Sequence, residues 1–127
     1  MPGSDGSPLK VLMRSGRVVN LGVYCTMKFF GDFVRDRKLL TIEEAVRRVT
    51  SLPARCLRLK DSGILRVGAK ADIAIFNLDT IAPLPNWVET PSPDRYGIGI
   101  EHVVVNSKLA VEDGAITGVR AGKVLRH

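Results

Sequence analysis

Near residue 70 the apolar residues of this chain change period, and that change limits the folds open to it. Before it they recur every three or four residues, the spacing of one helical face. After it they alternate in short runs separated by Gly, Pro, Asn and Asp, as strands and turns require. The chain therefore reads as α+β: two or three helices within residues 1–70, then antiparallel β-structure over residues 71–127. A closed (β/α)8 barrel takes about 250 residues, and a chain of 127 cannot close one alone.

The helical half is best specified at Thr41-Ile42-Glu43-Glu44, a capping box. The Thr41 hydroxyl is placed to accept from the Glu44 amide, and the Glu44 carboxylate to reach back to the Thr41 amide. Ile42, Ala45, Val46 and Val49 follow as one apolar stripe, with Arg47 and Arg48 on the solvent side. Upstream, Tyr24, Met27, Phe30, Phe33 and Val34 predict a helix from about Gly22 to Arg37, interrupted only by Gly31. Pro53 suits the first position of a new short helix to about Leu59, and Lys60–Gly63 makes a turn. Met1–Pro8 is loop-like, and residues 9–20 alternate too weakly to assign.

Downstream, Ala71–Phe76 predicts a strand, and Thr80–Gly99 a loop anchored by Trp87 and Tyr96. Ile100–Val105 predicts a second strand, Asn106-Ser107 a tight turn and Leu109–Glu112 the returning strand. Asp113-Gly114 signals another hairpin, with short strands expected over Ala115–Val119 and Lys123–Arg126.

Composition is that of an ordinary globular protein, 45% hydrophobic and 25% charged. No apolar run approaches the roughly 20 residues that span a bilayer, and no basic and then apolar leader follows Met1. Cys25 and Cys56 are too few for a disulfide framework and read as partly buried thiols in a reducing compartment, which places the chain in the cytoplasm. The net charge of +6 is uneven: residues 1–70 carry 14 Lys/Arg against 6 Asp/Glu, residues 71–127 carry 5 against 7. These cations are scattered or in short pairs such as Arg47-Arg48, without interleaved aromatics, so no nucleic-acid partner is expected.

A catalytic zinc usually takes three protein ligands from His, Cys and carboxylates. Only His102 and His127 are present, the first in a strand beside Val103 and the second at the terminus, and neither cysteine has a neighbouring ligand. No metal-binding or cofactor-binding residue is therefore assigned. There is no Gly-x-Ser-x-Gly elbow, and Gly97-Ile98-Gly99 lacks the strand–loop–helix context of a phosphate cradle.

The order of segments, however, resembles a known family. Thr41 to Arg55 resembles the last barrel helix of amidohydrolase-superfamily enzymes. Gly63-Ile64 and then Gly68-Ala69-Lys70-Ala71-Asp72-Ile73-Ala74-Ile75-Phe76 resemble their return from barrel to β-sandwich. Gly99 to Asn106, Val111–Gly114, Thr117-Gly118 and Gly122–Arg126 are similar to the C-terminus of N-acyl-D-amino-acid deacylases (D-aminoacylases), which are zinc-dependent amide hydrolases. The resemblance runs from about Gly22 to His127, with an island at Ser4-Asp5-Gly6. It implies the end of a TIM-type barrel followed by a β half-sandwich. It also implies that Asp5 is the general base that takes a proton from the metal-bound water and passes it to the leaving amine.

Three departures qualify that inheritance. The strand that would precede Asp5, seven further barrel strands and the family's upstream metal ligands lie outside these 127 residues, and a His-Pro-Arg-like stretch is replaced near Val19-Asn20-Leu21. The chain thus reads as the C-terminal quarter of a deacylase, not catalytic alone. The alternatives are half of a split hydrolase completed by a barrel-bearing partner chain, or a repurposed protein-binding or assembly module. Strand edges and an apolar face including Ile73, Ile75, Val103 and Val105 lead to the expectation of a homodimer or higher oligomer.

Overall fold

The computed structural model describes residues 11–12, 18–19, 24–83 and 97–125. Its elements follow the period change. Two short strands, β1 (Val11–Leu12) and β2 (Val18–Val19), pair antiparallel in the stretch whose alternation was too weak to assign. Helix α1 (Tyr24–Lys28) runs directly into a π-helix (Phe29–Asp36), then come α2 (Ile42–Val49) and α3 (Ser51–Cys56). A four-stranded antiparallel sheet completes the fold in the order β3-β4-β5-β6, with β3 Ile73–Phe76, β4 Ile100–Val105, β5 Lys108–Glu112 and β6 Ala115–Ile116. The α+β reading holds, as helices leading into an antiparallel sheet.

Local chemistry explains most boundaries. The Thr41 hydroxyl accepts from the Glu44 amide at 3.3 Å, satisfying one of the orphan donors of α2. The second half of the expected box is not made. Glu44 turns its carboxylate to Arg47 (2.7 and 2.9 Å) and Arg48 (2.7 Å) instead, because two charged donors on the next turn outcompete one neutral amide. Thr50 closes α2 and opens α3, so Pro53 is the third residue of α3 rather than its first. It is still within the first turn, where a missing N–H breaks no helical bond.

The helix expected over Gly22–Arg37 is present from Tyr24 and widens: from Phe29 onward its bonds run i to i+5, and the Arg37 amide reaches the Asp32 carbonyl at 2.9 Å. Lys38, with φ of 49°, takes the left-handed position that ends it. Gly31 has a steric role here. A Cβ at this position would lie 2.8 Å from the Ile81 carbonyl oxygen, so the helix approaches the post-β3 loop only because the side chain is absent.

The sheet is a meander. Val105 pairs with Lys108 across the Asn106-Ser107 turn, whose φ values of 47° and 64° are those of a two-residue type I′ hairpin. The ladder slips between Ile75 and Phe76 and between Val103 and Val104. Strand β6 spans only Ala115–Ile116, and the segment expected as a strand over Lys123–Arg126 runs as coil through Leu125. Near that end Asn106 Nδ2 donates to the Ala121 carbonyl at 2.8 Å, a side-chain tether in place of a strand ladder.

One core joins the helices to the sheet. Met27, Phe30 and Val34 from the first helical run, Ala45 from α2 and Ile81 are buried together, with Phe76 and Ile100 of the sheet packed against them. The Phe30 and Phe76 rings sit 5.0 Å apart. Burying such side chains contributes about 2–3 kcal/mol each, so this cluster dominates the packing. Val46, expected on the buried stripe, is instead 37% exposed, because the groove beside it is open.

Two outcomes follow. Thr41→Ala should cost about 1 kcal/mol and lower Tm by roughly 4 °C, and Gly31→Ala should destabilise by about 1–3 kcal/mol despite alanine's better helix propensity; thermal melts followed by circular dichroism measure both. Glu44 titrates at about 2 rather than 4.5, chiefly through its hydrogen bonds from Arg47 and then Arg48. A lowered carboxylate stabilises above its unfolded value and loses that contribution as pH falls toward its folded one. The Tm difference between the native chain and Glu44→Gln should be full at neutral pH and shrink from about 4.5 down to about 2; a difference independent of pH would contradict this.

Candidate functional site

Of the residues singled out by sequence, Asp5 and His127 lie outside the described residues, as do Trp87 and Tyr96. His102 is in β4 with its ring turned to the β5–β6 hairpin. Its Nδ1 accepts from the Asp113 amide at 3.4 Å, and its Nε2 lies 3.7 Å from the Asp113 carboxylate. The imidazole thus fastens a hairpin, the structural role its strand context suggests. Cys25 and Cys56 are both exposed rather than partly buried, because each sits on the outward side of a short helix.

His102, Cys25 and Cys56 form no common donor cluster. Among the described residues, no three of His, Cys, Asp and Glu come together as a group able to hold a metal ion. The donors among the described residues are thus too scattered to hold a catalytic zinc.

What the fold does bring together are the two segments that carry the family resemblance. Asp72, just before β3, accepts the Asn106 amide on its carboxylate at 2.7 Å, although the two are 34 positions apart. The Asn106 side chain in turn holds the Ala121 carbonyl, and the Ser107 amide donates to the Ala71 carbonyl at 3.1 Å. The Ala-Asp and Val-Asn motifs are thus two halves of one clasp, which sets the β3–β4 register and the position of the strained turn. Beside it Lys70 pairs with Asp61 at 3.3 Å, which lowers the Asp61 carboxyl, and the Lys70 amide donates to the Asp61 carbonyl. Gly63 is required by close approach: a Cβ there would lie 2.7 Å from the Thr50 carbonyl, and its φ is +75°.

Arg35 is the residue that periodicity did not disclose. Its Nη1 donates to the carbonyls of Ile81 (2.8 Å), Asp79 (3.3 Å) and Leu78 (3.4 Å), while Nε and Nη2 hold Asp36. The Asp36 hydrogen bond raises the Arg35 pKa, and Arg35 lowers that of Asp36. The only sequence signal is an arginine close to the apolar stripe, since its carbonyl partners are more than 40 positions away.

Two concavities flank these contacts. An apolar cleft of about 550 Å3 lies between the helices and β3, lined by Phe30, Val46, Val49, Ile64, Leu65 and Phe76 among others. A shallower hollow of about 400 Å3 covers Val103–Val105, with Lys70, Asp72, Asn106 and Lys123 at its margin. Around this hollow Asp72 and Asn106 are committed to each other, and Lys70 to Asp61.

Residues 1–111 match the amidohydrolase family. The chain is 42% identical over 100 residues to an N-acyl-D-glutamate deacylase of Alcaligenes xylosoxydans xylosoxydans, covering 79% of this chain and 20% of that protein. It superposes on a crystal structure of D-aminoacylase with a TM-score of 0.73 at 30% identity, over 82% of this chain and 21% of the other. A Bordetella bronchiseptica N-acyl-D-glutamate deacylase, solved with zinc and a phosphonate inhibitor, gives 0.68 at 36% identity over the same shares. The chain spans about a fifth of the length of the relatives it matches.

If the clasp is what the shared motifs encode, Asp72→Ala should lower stability by about 1 kcal/mol, a charged hydrogen bond discounted for its exposure. Asp72→Asn, which keeps an acceptor oxygen, should recover most of the loss in the same melts. Over most of its length, the chain belongs to the amidohydrolase family.

Proposed function

We propose that these residues form the closing part of a metal-dependent N-acyl-D-amino-acid deacylase. In this reading they supply the end of the barrel and half of the β-sandwich, while the metal ligands come from polypeptide outside the 127 residues. The observation that carries it is the pairing of fold with donor set. The likeness to D-aminoacylase covers 82% of the chain, whereas the only two histidines are a hairpin fastener and the last residue.

The chain's own contributions are then mechanical and, at one position, chemical. The Asp72–Asn106 clasp ties β3 to the β4–β5 turn, and the Arg35 contacts tie the first helical run to the loop after β3. Asp5 is, by resemblance, the general base. A carboxylate there takes up a proton and delivers it to the departing amine.

A consequence concerns association. Leu65, at the apolar cleft, is 79% exposed, and elsewhere Val67 is fully exposed and Val124 84%. Surface of this kind is normally covered, so the isolated chain is expected to bury it against further copies or against a barrel-bearing chain.

Purified alone, the chain should hold less than stoichiometric zinc and hydrolyse no N-acetyl-D-amino acid, as read by metal analysis and amine release. Stoichiometric zinc with turnover would overturn the reading. Asp5→Ala should leave the melting temperature of the isolated chain unchanged and should abolish turnover in any preparation to which a barrel-bearing chain has restored it. Light scattering should show self-association that rises with concentration; a monodisperse monomer at all concentrations would refute that part.

A further inference from the structure

We draw no further inference here: the strongest candidate, the apolar cleft between α2 and β3 lined by Phe30, Val46, Val49, Leu65 and Phe76, carries nothing because nothing in the structure shows what covers it.

Discussion

The contact on which the rest depends is the meeting of the first helical run with the loop beyond β3. Phe30 packs on Phe76, Ile81 is sealed at 1% exposure, and Arg35 spends one nitrogen on the loop carbonyls of Leu78, Asp79 and Ile81. Apolar burial supplies the energy and is indifferent to direction. The guanidinium supplies the direction, since its donors have a fixed geometry. Gly31 lets the backbones come close enough for both to operate.

The second constraint sits at the other end of the sheet. A type I′ turn at Asn106-Ser107 asks two non-glycine residues to hold positive φ, a cost that Asn tolerates best. Asp72 and Ala121 offset it by binding the Asn106 amide and side chain. This is the physical content of motifs that otherwise read as strings of small residues. Gly63 allows close packing under the α2–α3 junction, Asp72 fixes the incoming strand, and Asn106 fixes the returning one.

How much was legible follows from how local each cause is. The Thr41 cap, the helical stripe of Met27, Phe30 and Val34, and the Asn-Ser and Asp-Gly turns each depend on residues a few positions apart, and each is present. The reach of Glu44 failed because Arg47 and Arg48 compete for it, a choice that spacing alone leaves open. The strand expected at Lys123–Arg126 failed because pairing needs a partner edge, and the neighbouring contact is the Asn106 side chain. The Arg35 and Asp72 partnerships span more than 30 positions and leave no periodic trace. Asp5 rests on the family resemblance and lies outside the described residues.

The central claim is that helices and sheet share one core rather than folding as neighbours. Native-state hydrogen exchange with increasing denaturant tests it most directly, comparing amides of the π-helix at Phe30 and Val34 with those of β4 at Val103 and Val104. A shared core predicts that both sets open with the same free energy and the same denaturant dependence. Sheet amides that keep their protection after the helical ones have lost theirs would contradict it.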